Sequence, residues 1–338
     1  MDSLAVVWFV LEAVFLAFYA VLDGFDLGVG TLFAFAKTEE EKRTWLGSIG
    51  PVWNGNEVWA IGAVGTLLAV FPPVYAALLS TLYVPVYLVL ASLIIRAVAI
   101  EYRTSLRDGF VKSLLDVGIV GGSGFVAFAL GFAGGNILHG LPFNGNLAPQ
   151  GSFLALFHPL SVIGGLASLA FFCLHGASWL VVKTEGETQK RAKRFVKVLR
   201  VAFPALLLVT AVTSAFAVDS SLLHGVPGKP GFWIPAVLAV AALGLSIGFS
   251  LTEKPLFSFI ANGATVAALV ALGACILFPA MLPSSLPGIA ALTVANSAVS
   301  HTALTVNLIT ATIGVPFVIA YTVFSYFLFR GKATDGHY

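Results

Sequence analysis

Long apolar runs separated by short polar stretches set the outline of this chain. A helix needs about 20 largely apolar residues to cross a membrane. By that rule nine spans are predicted, at roughly 4–36, 50–71, 74–100, 114–138, 155–182, 196–218, 232–251, 256–279 and 303–329. The connections fall into two alternating sets. One holds 37–49, 101–113, 183–195, 252–255 and the tail after Phe329; the other holds 72–73, 139–154, 219–231 and 280–302. The first set, with its adjoining helix ends, carries 16 of the 18 Lys and Arg residues, against Lys229 alone in the second and Arg96 inside a span. Cytoplasmic loops carry the Lys/Arg excess, which predicts an outer N-terminus, a cytoplasmic C-terminus and an odd number of spans. The uncharged connection 280–302 is expected to order along the outer interface or to fold partly back into the protein.

Composition agrees. The chain has 338 residues, of which 58% are hydrophobic and 10% charged, with mean hydropathy +0.95. A soluble domain averages about 25% charged residues. The expected class is an all-α polytopic membrane protein, a single integral membrane domain over 1–338 without soluble domain, low-complexity linker or short repeat. A net charge of +2 says little about partners, and no nucleic-acid partner is expected. Cys173 and Cys275 fall in apolar runs and read as small buried hydrophobes rather than a disulfide or metal site. The N-terminus shows no basic n-region and no small-residue cleavage site, so the first helix is read as retained.

Five ionisable residues interrupt this picture from within the spans: Glu12, Asp23, Asp26, Glu57 and Arg96. Asp116 and Glu101 sit near helix ends, where solvent reaches them easily. A charged group at mid-membrane costs several kcal/mol and normally faces a bundle interior or a wet path. At about 100° per residue, Glu12, Tyr19, Asp23, Asp26 and Gly30 share one narrow stripe of the first helix, which should face protein. In the second span Pro51 suits a first helical turn, and Asn54, Asn56 and Glu57 follow. At 1.5 Å per residue, Asp26 lies roughly 15 Å and Glu57 roughly 10 Å from the inner helix ends, and Arg96 is an available counter-charge at a comparable level. Read structurally, the acids pair with Arg96 and fix helix packing. Read functionally, they line a proton or cation path from the cytoplasm, since a desolvated carboxylate can carry a proton at neutral pH. Of the six histidines, only His175 lies deep in a span. Two facing histidines, as a membrane b-type haem requires, are not evident.

Four motifs occur in order: LDGFDLGVG at 22–30, GPVWNGNEVWAIGA at 50–63, VLASLIIRAVAIEYR at 89–103 and LFPAMLPSS at 277–285. With LTVNLI at 304–309 and an aromatic final helix, the chain resembles subunit II of the cytochrome bd quinol oxidases from end to end. The resemblance implies two four-helix bundles plus one peripheral helix, in a prokaryotic cytoplasmic membrane. It also implies an electrogenic, non-pumping terminal oxidase that oxidises quinol and reduces dioxygen to water with cytoplasmic protons. Subunit I of that family carries all three haems (two of type b, one of type d) and the quinol-oxidation loop. Subunit II would be its haem-free partner, not catalytic alone, related to it by a pseudo-twofold axis. Some members add a structural quinone in subunit II or a small single-helix accessory subunit, and lipid surrounds the whole.

Carried onto this chain, Asp26 is the expected inner relay acid, with Asp23 as support. Asn54 stands where relatives often have an acid, and an amide does not readily take up and release a proton. Glu57, one turn further on, is the candidate substitute. Glu12 would extend the polar stripe outward, and Arg96 is assigned to a structural ion pair. The competing readings are an ion-coupled transporter or channel, which predicts broken helices and an inverted repeat, and a self-sufficient b-type cytochrome using His175 and His301.

Overall fold

The computed structural model describes residues 2–106, 109–217, 228 and 230–333. Arg107, His224, Lys229, His337 and almost all of the predicted connection 219–231 lie outside the described residues. Twelve helices are described: α1 (Ser3–Leu32), α2 (Glu39–Ile49), α3 (Trp53–Val70), α4 (Pro72–Thr81), α5 (Tyr83–Arg103), α6 (Phe110–His139), α7 (Pro159–Lys183), α8 (Gly186–Ala217), α9 (Pro230–Leu251), α10 (Pro255–Leu277), α11 (Val294–Ser297) and α12 (His301–Leu328). Among the described residues, eight are long and apolar enough to cross a membrane, or nine if the bent pair α3–α4 is counted as one span.

One span and two connections differ from expectation. The predicted third span at 74–100 is divided at Leu82, where α4 ends and α5 begins; upstream, Pro72 and Pro73 open α4 at its first turn, and the chain bends by 120° between α3 and α4. A proline lacks an amide hydrogen and clashes with the preceding turn, so α3 cannot continue through Phe71. The crossing proper is therefore α5, from Tyr83. The predicted loops 37–49 and 183–195 are helical, as α2 and the first turns of α8. Thr38 caps α2, where three glutamates in the first turn complement its N-terminus.

α1 is the hub. It packs against α3, α6, α7 and α10, while α8 packs on α7, α9 on α10 and α5 on α6. This gives a first bundle of α1, α3, α5 and α6 and a second of α7–α10, with α12 along α3 and α1 at the side. α1 and α7 cross in backbone contact. A Cβ on Gly28 would sit 1.8 Å from the Phe172 carbonyl oxygen, and one on Gly176 2.4 Å from the Val29 nitrogen. Only glycine permits that approach, which is a common device where helices meet in lipid.

The basic connections gather at one end of the molecule, tied by ion pairs such as Lys42–Asp116, Arg191–Glu41 and Lys193–Glu253. At the same end Lys183 donates to the carbonyls of Phe329 and Gly331, and Lys332 donates to those of Val182 and Thr184. The opposite end is closed by residues 280–302, which pack back against the helices, the second of the two arrangements that the sequence left open. β1 (Ala280–Leu282) pairs with β2 (Leu292–Thr293), the Leu141 amide donates to the Pro283 carbonyl, the Ser285 amide to the Leu141 carbonyl, and the Val299 amide to the Val70 carbonyl. One apolar cluster, around Phe25, Trp45 and Trp179, fills the basic half; another, around Trp8, Trp59 and Phe143, fills the opposite half.

Candidate functional site

The polar stripe of α1 does face protein. Glu12, Tyr19, Asp23, Asp26 and Gly30 are all buried, with Asp23 and Asp26 fully so. Arg96 of α5 is fully buried beside them and serves two acids at once. Its Nη2 donates to Asp23 Oδ1 at 2.9 Å and its Nη1 to Glu57 Oε1 at 2.6 Å. A guanidinium is the group for this task, because its planar fork presents separate donors to separate carboxylates. The assigned ion pair is thus an α1–α5–α3 triad. The Arg96 guanidinium also lies 6.0 Å from the centre of the Trp53 ring.

Asp26 stands differently. Its Oδ2 accepts from Asn56 Nδ2 at 2.7 Å, and the same amide nitrogen reaches the Leu22 carbonyl at 3.1 Å. Asn56 Oδ1 accepts in turn from the Tyr326 hydroxyl of α12 at 3.1 Å. Asp26 Oδ1 and Arg96 Nε are buried without a hydrogen-bond partner. The one cation here bonds two of the three carboxylates, and Asp26 is the one it does not bond.

The structure separates residues that the sequence placed together. Asn54 is exposed and turned away from the cluster, whereas Asn56 holds Asp26. Glu57 keeps 21% of its side-chain surface exposed in this chain while bound to Arg96. Glu12 lies further along α1, with Oε2 accepting from the Thr66 hydroxyl at 2.6 Å. The two histidines of the b-type cytochrome reading do not meet. His175 bonds the Val21 carbonyl and stacks on Phe259, whereas His301 pairs with Asp2, about 28 Å away along α1. Among the described residues, no group of three His, Cys, Asp or Glu side chains is placed to hold a metal ion.

Asn56, Tyr326 and Thr66 were not candidates from sequence. The only signal was that Asn56 falls in the same short polar run as Asn54 and Glu57; Tyr326 lies 270 residues away in an ordinary aromatic helix.

At the basic end a second cluster fastens α2 to the bundle. Arg103 joins Asp116 and Glu39, Lys112 joins Glu39 at 2.7 Å, and Lys42 joins Asp116 at 2.6 Å. Burial alone would raise the Glu39 carboxyl, but hydrogen bonds from Lys112 and Arg103 outweigh it and bring the group down to about 2. A carboxylate depressed in the folded state stabilises above its unfolded value and loses that contribution as pH falls. The loss therefore runs from near 4.5 down through about 2. In a pH series of thermal unfolding midpoints, Glu39→Gln is expected to flatten the acid limb slightly, the side chain being 42% exposed. An acid limb identical to wild type would show that the cluster contributes nothing. At the other end His158 caps α7 by accepting the Ser161 amide. Burial first, then neighbouring His139, push its ring down to about 4, so it is neutral, as an acceptor must be.

The family model for cytochrome bd terminal oxidase subunit II matches residues 4–329. The chain belongs to that family. It is accordingly a subunit of a terminal oxidase, an oxidoreductase complex that includes a subunit I. A cytochrome bd-I ubiquinol oxidase subunit 2 of Escherichia coli K12 is 32% identical to it over 363 residues, covering 98% of this chain and 96% of that protein. A cytochrome bd ubiquinol oxidase subunit 2 of Bacillus subtilis is 33% identical over 337 residues, covering 99% and 98%. The structure of the bd oxidase from Geobacillus thermodenitrificans aligns over 97% of this chain and 99% of the matched chain with a TM-score of 0.79. At 16% identity that likeness speaks for the fold alone. Within this bd-type subunit II, Asn56 and Glu57 are adjacent residues of α3, and the first meets α1 while the second meets α5.

Proposed function

We propose that this chain is the haem-free subunit II of a bd-type quinol oxidase, a single integral membrane domain that supports haem-bearing subunit I and conducts protons toward the site of oxygen reduction. The basic end, by the Lys/Arg rule, faces the cytoplasm, with the N-terminus outside. The observation that carries the proton reading is the pair of roles at the cluster. Asp23 and Glu57 are held by Arg96, while fully buried Asp26 is joined only to neutral Asn56, itself joined to Tyr326. The ion pair fixes the geometry, and the acid beside it remains able to take and release a proton. Glu57, partly exposed, gives access from the surface in place of the acid that Asn54 lacks.

The test is quinol-driven oxygen uptake by the co-expressed enzyme, with haem spectra reporting assembly. Glu57→Gln is expected to lower turnover about tenfold with normal spectra. If Glu57→Gln leaves turnover unchanged and only lowers the unfolding midpoint, Glu57 is structural and the proposed access is wrong.

A structural quinone would find its place in the apolar cleft of about 280 Å³ between α1, α3 and α12. Trp8, Phe15 and Trp59 line it, and the glycines Gly62, Gly65 and Gly314 leave it open. The Trp59 indole N–H is buried there without an acceptor, which suits a carbonyl or ether oxygen.

A further inference from the structure

A second cleft, of about 370 Å³, opens at the basic end between α7, α8 and the α9–α10 turn. α8 packs on α7, and the α9–α10 hairpin reaches α7 through α10, so the two neighbours of α7 leave a gap between their ends. The α8 wall is one helical face, on which Lys193, Val196, Lys197 and Arg200 lie three or four residues apart. The facing wall is the turn from Phe249 to Pro255, which contributes Lys254 and Glu253.

The charges at the mouth do not balance. Four cations meet one acid, and that acid is taken by Lys193 at 3.3 Å. Among the described residues, no carboxylate lies within ion-pair distance of Lys197, Arg200 or Lys254. The nearest polar contact of Arg200 is Ser250 Oγ, at 3.5 Å. The floor is the reverse case. Ser178 Oγ donates to the Leu174 carbonyl and accepts from Asn262 Nδ2, and Ser258 Oγ donates to the Ser246 carbonyl. Gln189 at the edge likewise donates to the Val181 and Thr184 carbonyls, and the apolar lining is Val181, Val196, Phe249 and Pro255. Unspent positive charge at the rim above an apolar, internally satisfied interior is complementary to an anionic amphiphile. The cleft lies where helix ends meet the headgroup layer, and basic pockets between spans at that level attract acidic lipids.

We propose that this cleft binds an anionic phospholipid, its phosphodiester between Lys197, Arg200 and Lys254 and its acyl region against Val196 and Phe249. A free inorganic anion would use the rim and leave the apolar interior without purpose.

The experiment is native mass spectrometry of the co-expressed oxidase in mild detergent, titrated with dioleoylphosphatidylglycerol, with dioleoylphosphatidylcholine, or with phosphatidylglycerol in the presence of inorganic phosphate. Wild type is expected to retain phosphatidylglycerol over phosphatidylcholine. The double variant Lys197→Gln, Arg200→Gln is expected to weaken retention about thirtyfold. Lys190→Gln with Arg194→Gln, an equal loss of charge on the same helix outside the cleft, is expected to change it little. Glu253→Gln is expected to strengthen retention, and it keeps the proposal testable should the double variant fail to assemble. Equal loss in both double variants would reduce the effect to general surface charge and overturn the proposal. Displacement by inorganic phosphate would make this a free-anion site, and no gain in Glu253→Gln would remove the cleft from the account; each result overturns it.

Discussion

Asp26→Asn is expected to cut quinol-driven oxygen uptake about a hundredfold or more, in an enzyme whose haem spectra and unfolding midpoint stay close to wild type. The substitution keeps the shape of the side chain and removes the carboxylate. The partner of Asp26 is an amide, Asn56, at 2.7 Å, and an Asn–Asn pair can be hydrogen-bonded as well as an Asp–Asn pair. No cation touches Asp26, so the change strands no buried charge. What disappears is the carboxylate proposed to hold a proton in transit. Near-normal uptake with intact haems would end the relay reading and leave Asp26 as a packing residue. Loss of the haems themselves would show that the α1 stripe is first an assembly surface.

Arg96→Gln is expected to fail in the opposite way, through stability. Arg96 is fully buried and is the cation for both Asp23 and Glu57. Removing one side of a buried ion pair costs about 3–5 kcal/mol, because the remaining charge stays desolvated without compensation. Here two acids would be stranded, and little assembled oxidase should be recovered from membranes. Arg96→Lys should be intermediate, since one ammonium does not reproduce a fork whose two nitrogens serve separate acids. Adding Asp23→Asn to Arg96→Gln should recover part of the loss. Recovery of normal amounts of the single variant, melting as wild type does, would show that the triad is dispensable to the fold.

Much of the architecture was legible because lipid imposes simple rules. A span must be apolar and long, and the basic residues must gather on one side, so Lys37 to Lys332 gave the alternation that the ion pairs at the basic end then display. The stripe on α1 was legible for the same reason, as acids on a helix in lipid have only protein to face. The α3–α4 bend was hidden because hydropathy counts apolar residues without regard to direction, and the weight of Pro72–Pro73 depends on where the helix has to stop. The choice between Asn54 and Asn56 was hidden as well. The two positions differ by about 200° around α3, and without the helix phase neither has priority. Glu57 could be assigned a depth but not a partner. Whether an acid is held by Arg96 or faces the surface depends on side-chain reach across three helices, which spacing along one helix does not encode. The charged face of α8 was read as loop because its lysines and arginines lower hydropathy, although they are good helix formers.

The hydrogen bond from Tyr326 to Asn56 spans 270 residues of chain. Membrane helices leave the ribosome in order, so Asp26 and Asn56 are in the bilayer long before Tyr326 exists. The polar circuit around Asp26 is completed only when the final span is inserted. The triad among α1, α3 and α5, in contrast, needs only the first third of the chain. Biogenesis thus has a built-in sequence. The charges that would endanger an unfinished subunit are neutralised early, and the hydrogen-bonded connection that the finished oxidase would use is made last, as the closing act of translation.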